Sequence, residues 1–414
     1  MPEKQLSPSP IEISNQDARR FMLAHHHLWP PRRLKGKGDI LALVEQLGCI
    51  QFDTVNVVGR NADLVLQARV KQYRPALLEE LLYRDRSLID GWDKMASILR
   101  TEDWPYFSRR REMMIEHHRA RSQQAVDAAP EILQVVAEKG PTSSLDFDKQ
   151  TVVDWYWSET KLARAALEAL YEQGMIGITH RVNTRRHFDL IQRLLPAELL
   201  EQADPHSSLE AYHDWHLLRR IGGMGLASMR AGEYWLGIVG MKSGERRASL
   251  ERLLKAGLVT AVQVEGMQEK YHIRSADLDT LQRVSNTRAP KSQATLIAPL
   301  DNMIWNRRLI KELFGFEYTW EVYKPKKQRQ YGYYVLPVLY GDRFIGRIDP
   351  AFDRKNNILS LKGLWWEADI QPDARMISAL QRCLSAFKDF LGADSITLGE
   401  NAGKDEVLQA MINP

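Results

Sequence analysis

The sequence predicts an α+β protein: three tandem helix-turn-helix units of the winged kind, followed by a C-terminal antiparallel β-barrel-like domain. Two observations carry this. A pattern of amphipathic helix, terminal glycine and apolar strand occurs at Leu167 to Ile176, broken by Gly174, and again at Leu250 to Val259, broken by Gly257. From about Lys291 onward the texture changes to short apolar strands separated by turn residues.

Taken in order, Ser14 to Asp17 read as a cap, and Ala18 to Leu28 as a helix stopped at Trp29-Pro30-Pro31. His25, His26 and His27 cannot share one metal ion, because helical neighbours point about 100° apart; surface histidines are expected. A glycine-softened basic loop follows, with Arg32, Arg33, Lys35 and Lys37. It lacks the terminal Lys-Ser/Thr of a phosphate-binding P-loop. Asp39 then caps a helix whose Ile40, Leu41, Val44 and Leu47 share a face. Gly48 ends it, and Ile50 to Val58, rich in β-branched residues, reads as a strand. Period-2 alternation places Ile50 and Phe52 on one side and Gln51 and Asp53 on the other. This first unit follows the helix, glycine and strand order more loosely than the later two.

Ser108 to Arg121 reads as a long basic helix carrying Arg109, Arg110, Arg111, Arg119 and Arg121. Each repeat is expected to continue into a hairpin wing, Ile176 to Leu190 and Val259 to Ile273, so that the second helix can enter a groove while the wing touches the backbone. Ile221 to Gly225 looks superficially like a dinucleotide fingerprint, but it follows a helical segment where a strand is required, and reads as a connecting turn. In the last domain Tyr331 to Leu339, Arg343 to Asp349 and Ile358 to Trp366 form a meander, and a helix runs from about Asp373 to Leu391. The expected divisions are 1–125, 126–206, 207–288 and 289–414.

With 414 residues, 44% hydrophobic and 27% charged, the chain can bury several cores and carries no disordered bias. Its two cysteines, Cys49 and Cys383, lie in unlike contexts and suggest neither a disulfide framework nor a metal site. Neither a secretion signal nor a run long enough to span a bilayer is visible, so a cytoplasmic protein is expected. A net charge of +4 is small, which puts any nucleic-acid surface down to local clustering. Two such clusters interleave cations with aromatics: Arg307 and Arg308 beside Trp305, and Lys326, Lys327, Arg329 and Gln330 beside Tyr331. An amide and a carboxylate side by side, as in Gln51 and Asp53, can hold one water between a hydrogen-bonding group and a base, which is what hydrolysis needs.

Gln51-Phe52-Asp53 in a first winged unit, the repeats behind it, the run Gln330 to Pro337, and Gly341-Asp342-Arg343 with Gly346-Arg347-Ile348-Asp349 together resemble the winged-helix DNA glycosylase family of the YcaQ/AlkZ type. The resemblance extends from about Ser14 to Leu398 and matches the Gln-x-Asp signature of YcaQ-like members. It implies excision of N7-alkylated purines and unhooking of interstrand crosslinks, with Gln51 and Asp53 catalytic. Arg32, Arg33, Lys35, Lys37, Asn56, Arg60, Arg307, Arg308, Lys326, Lys327, Arg329, Gln330 and Tyr331 are the expected DNA-contacting set. Trp92-Asp93-Lys94-Met95-Ala96 stands where many relatives carry a His-Glu-Ala, so that histidine's role does not transfer. No metal or organic cofactor is called for, and the expected species is a nucleoid-associated monomer acting on double-stranded DNA that carries alkylated purines or crosslinks. The competing class is a winged-helix transcription regulator without catalysis. A two-metal nuclease would need clustered carboxylates that the sequence lacks.

Overall fold

The structure, a computed structural model, describes residues 9–147, 151–156, 158–285, 287, 292–399 and 406–412. The chain divides into two compact units, one of residues 1–77, 213–236 and 242–414, the other of residues 78–212 and 237–241.

In the first unit Ser14 Oγ accepts from the Asp17 N–H at 3.0 Å and starts the helix Asn15–His25. Phe21, Met22 and Leu23 from this helix enter a core with Tyr271, Ile273, Ile304, Leu313 and Phe316. The helix Gly36–Leu47 buries Ile40, Leu43, Val44 and Leu47, and is closed by Gly48 at φ 77°, the left-handed region open to glycine. Further along, the helix Ser243–Lys255 ends just before Gly257 and feeds the hairpin Val259–Val264 with Lys270–Arg274, as the repeat predicts. The strand Ile11–Ile13 adds to this hairpin in parallel, and Ala227–Ser228 pairs on its other side.

The C-terminal part of this unit is a five-stranded sheet in the order Ala294–Leu296, Leu336–Tyr340, Arg343–Asp353, Ile358–Trp366 and Ser395–Leu398. Register shifts at Val338/Leu339 and at Asp349/Pro350 bend it. Among the described residues the first and last strands are not paired, so it is a half-barrel and not a closed barrel. The helix Ala374–Leu391, capped by Asp373, follows where the sequence places it.

The second unit contains the hairpin Leu88–Trp92 with Ala96–Arg100 and the helices Ser108–Arg121, Gln123–Lys139 and Leu162–Glu172. The last of these is followed by Gly174 at φ 77° and the hairpin Ile176–Val182 with Arg185–Leu190, again as the repeat predicts. Ile132, Val136, Ala166, Leu167, Leu170 and Phe188 form its core.

Four expectations need correcting. The strand after Gly48 spans only Ile50–Gln51, and irregular backbone then leads into the helix Asn61–Gln67, so no hairpin follows directly as it does in the later repeats. Gly222 and Gly223 lie inside the helix Leu209–Met224 and do not form a turn. The helix needs a glycine there, since a Cβ on Gly223 would stand 2.6 Å from the Leu47 carbonyl oxygen. His25 and His26 are core residues, 2% and 0% exposed, with Nε2 atoms 2.6 Å and 3.2 Å from the Gly222 and Met224 carbonyls. Lastly, the basic helix directs much of its charge inward: Arg110 lies over Trp92, Arg111 over Trp104, Arg121 over Tyr156, and Arg109 pairs with Asp204 at 2.6 Å.

Candidate active site

The segment carrying Gln51 and Asp53 is held by its backbone. Asn61, 1% exposed, donates from Nδ2 to the Gln51 carbonyl at 2.8 Å and accepts on Oδ1 from the Leu300 N–H at 3.0 Å. Asn302 Nδ2 donates to the Cys49 carbonyl at 3.0 Å, and Arg219 donates to the Gly48 carbonyl. Three backbone carbonyls at and just before the short strand, those of Gly48, Cys49 and Gln51, are thus tied down, the first two by groups distant in sequence. Next to Asn302, Asp301 receives two 2.7 Å hydrogen bonds from Arg69, both side chains being 0% exposed, and Arg69 also donates to the His26 and Val65 carbonyls. A bidentate pair in which four of the five guanidinium donors are used is the kind of arrangement in which buried charges are tolerated.

Gln51 is 7% exposed, more enclosed than the alternating pattern suggests, because the strand is covered on both sides. Asp53 is half-buried. Its Oδ1 accepts from the Val55 N–H at 2.7 Å, an Asx turn that ends the extended run and accounts for the missing strand at Thr54 to Val58. Burial raises the Asp53 pKa above the usual aspartate range, against the smaller opposing effect of the Val55 hydrogen bond. Its charge is felt by two tyrosines. Burial raises the pKa of Tyr334 and of Tyr323, and in both the next contribution is the Asp53 charge. Tyr323 is nevertheless 77% exposed, its ring set edge-on to Trp320 at 5.6 Å. A carboxylate of raised basicity, fixed by a backbone N–H, can take a proton from water and face a developing cation.

The cationic loop before Tyr331 is organised by Glu321, which is 2% exposed. Its carboxylate accepts from the Gln330 N–H at 3.0 Å, the Tyr331 N–H at 2.9 Å, the Gly332 N–H at 3.4 Å and Lys324 Nζ at 2.9 Å. Burial pushes its pKa up, but these four donors outweigh burial and hold it at about 2. The same bonds take the N–H groups of 330–332 out of any ladder, so the strand begins at Leu336 and not at Tyr331. Lys326, Lys327 and Gln330 are exposed, and Arg329 lies over the Tyr333 ring at 4.8 Å. Tyr331 packs on Arg347, which sits between it and Phe316, so the Gly346 to Asp349 motif is structural at Arg347.

The remaining expected DNA contacts divide between outward and inward. Arg33, Lys35 and Asn56 are exposed and Lys37 partly so, and Arg308 is exposed while paired with Glu312 at 2.7 Å. Asn56 is tied to Arg354, whose Nη2 donates to its carbonyl at 3.0 Å. Arg32 donates to the Gln67 carbonyl at 2.9 Å, Arg60 pairs with Asp63 at 2.6 Å, and Arg307 lies over Tyr318. Tyr323, Arg354, Asn61, Asn302 and Glu321 escape the sequence reading; only Tyr323 had a signal, as an aromatic among cations. In the second unit, Asp93, Lys94 and Met95 form the turn of the hairpin. Among the described residues no group of three His, Cys, Asp or Glu side chains could hold a metal ion, and no helix is long and apolar enough to cross a membrane.

A solved structure, the DNA glycosylase AlkZ of Streptomyces sahachiroi, has a similar fold, with a TM-score of 0.61 over 94% of this chain and 100% of that one at 13% identity. The family model described as DNA glycosylase AlkZ-like matches residues 44–390, a span that includes Gln51, Asp53 and the Glu321 loop. The chain belongs to the AlkZ-like DNA glycosylase family.

Proposed function

We propose that this DNA glycosylase hydrolyses the N-glycosidic bond of N7-alkylated purines, including those joined in interstrand crosslinks, and leaves an abasic site. The observation that carries the reading is the half-buried Asp53 carboxylate, raised in basicity and fixed by the Val55 N–H.

An N7-alkylguanine carries a fixed positive charge, so it leaves without prior protonation and a second carboxylate acting as general acid is dispensable. Asp53 stabilises the oxocarbenium developing at C1′ and takes a proton from a water that Gln51 helps hold. The water oxygen bonds to C1′ as the C1′–N9 bond breaks, and its electron pair neutralises the departing base. No step needs an enzyme-bound covalent intermediate, which makes the enzyme monofunctional. A guanine tethered to the opposite strand through N7 cannot rotate out into a deep pocket without dragging its partner. Because N7 lies in the major groove and C1′ is reached from the minor-groove side, a carboxylate that is only half-buried, on irregular backbone, suits a crosslinked substrate.

The two helix–glycine–hairpin units are read as winged helices and the Gly36–Gln51 segment as a reduced third, within the divisions 1–125, 126–206, 207–288 and 289–414. The enzyme would act as a nucleoid-associated cytoplasmic monomer on duplex DNA. The test is incubation with a duplex containing N7-methylguanine or a nitrogen-mustard crosslink, followed by alkaline cleavage at abasic sites. Strand breaks made by the wild type and lost in Asp53→Asn are expected. Tight binding with no base release would return the chain to the regulator class.

A further inference from the structure

The first unit contains a cleft of about 560 Å³ whose walls include Trp29, Arg33, Gln46, Arg274 and Arg283. This is within the size range of small-ligand sites. Its charge is unbalanced. Arg274 is neutralised by Asp277 through bonds of 2.9 and 3.1 Å, whereas Arg283 donates only to the neutral Thr280 hydroxyl and Asp279 carbonyl. Arg33 is exposed, without an ion-pair partner among the described residues. His25 and His27 also line the cleft; burial lowers the pKa of both, leaving them as uncharged hydrogen-bonding groups. The cleft therefore joins two uncompensated guanidiniums and a half-buried indole, while the Gln46 amide is occupied by His27 Nε2 at 2.8 Å and the His25 carbonyl at 2.6 Å. Guanidiniums favour phosphate oxygens through paired donors, and an indole offers a flat face to a base.

We propose that this cleft binds a nucleoside monophosphate group, with the phosphate on Arg33 and Arg283 and the base against Trp29. That group has two sources, a free nucleotide or the 5′-phosphorylated end of a DNA strand, and the site does not depend on the Asp53 chemistry.

The test is calorimetric titration of the full chain with dGMP, deoxyguanosine and inorganic phosphate, repeated with Arg283→Glu, which alters an exposed side chain and is not expected to disturb the fold. A short single strand with and without a 5′-phosphate, used as competitor, separates the two sources. Saturable dGMP binding is expected, at least tenfold tighter than deoxyguanosine and weakened at least tenfold by Arg283→Glu, while base release from N7-methylguanine duplex is unchanged. Competition by the phosphorylated strand alone assigns the site to strand ends, and its absence to free nucleotide. Equal binding of dGMP and deoxyguanosine, no dGMP binding, or binding indifferent to Arg283→Glu overturns the proposal.

Discussion

Asn61 and Gln51 are joined by a 2.8 Å hydrogen bond from the amide of the first to the backbone carbonyl of the second, and the other end of the same amide accepts from Leu300. Asn61 is 1% exposed, so both partners would be left without water if it were removed. Asn61→Ala is therefore expected to destabilise the fold by about 1–3 kcal/mol, the cost of orphaned buried groups. It should also slow base release roughly 10²-fold through a small displacement of Gln51 and Asp53. Urea denaturation and single-turnover release of N7-methylguanine measure the two effects. A stability loss with an unchanged rate would mean that the strand does not set the reacting geometry.

Asp53 invites a sharper separation of function from stability. Asparagine keeps the Oδ1 acceptor for the Val55 N–H, whereas alanine removes it. Ionised Asp53 is held in an environment that raises its pKa, so at neutral pH its charge opposes folding. Asp53→Asn should leave thermal stability equal or slightly higher and lower excision by orders of magnitude with duplex binding retained. Asp53→Ala should lose both stability and excision. Gln51→Ala should reduce the rate less than either, since holding the water is a smaller contribution than supplying the charge.

The pH dependence follows with its sign. A raised carboxyl pKa means that the catalytic anion is lost at a higher pH than for a free aspartate near about 4. The rate of release of a permanently charged base should fall on the acid side through a single ionisation lying above that value. The stability contribution runs oppositely, favouring the fold below the unfolded-state pKa and lost as pH rises through the folded one. An acid limb at or below the free-aspartate value would show that the ionisation controlling the rate is not that of Asp53.

Parts of this arrangement were legible in the sequence, for local reasons. The two repeats needed only an amphipathic helix and a glycine in left-handed backbone, and Gly174 and Gly257 supply it at φ 77° and 69°. The strand Ile358–Trp366 and the helix expected from about Asp373 were likewise written in neighbouring residues. Gln51 and Asp53 were reached through a signature, but the turn that orients Asp53 was obscured by the β-branched residues after it, whose propensity loses to one side-chain hydrogen bond. The Arg69–Asp301 pair, the Asn61 bond to Leu300 and the Asn302 bond to Cys49 join residues more than two hundred positions apart and leave no periodic trace. Breaking that pair with Asp301→Ala should be severe, about 3–5 kcal/mol, because Arg69 would keep an uncompensated buried charge. Differential denaturation against Asp301→Asn, which retains one acceptor, reads the difference.

Glu321 separates binding from chemistry. Its carboxylate collects the N–H groups of Gln330, Tyr331 and Gly332 together with Lys324, and so shapes the segment that presents Lys326, Lys327 and Arg329. With its pKa held at about 2, its contribution to stability is present above the ordinary glutamate range and lost as pH falls through that depressed value. Glu321→Gln keeps the size but replaces an anion accepting four donors with a neutral amide, and the loop should loosen at neutral pH. Cations that meet phosphates set the salt dependence of binding and not the barrier at C1′. The variant is therefore expected to weaken duplex affinity several-fold and flatten the salt slope, while the rate on saturating N7-methylguanine duplex stays within about twofold. Fluorescence anisotropy across a salt series, paired with single-turnover kinetics at saturating enzyme, measures both. A large loss of the saturated rate with affinity intact would place the loop in the reacting geometry and not in phosphate contact.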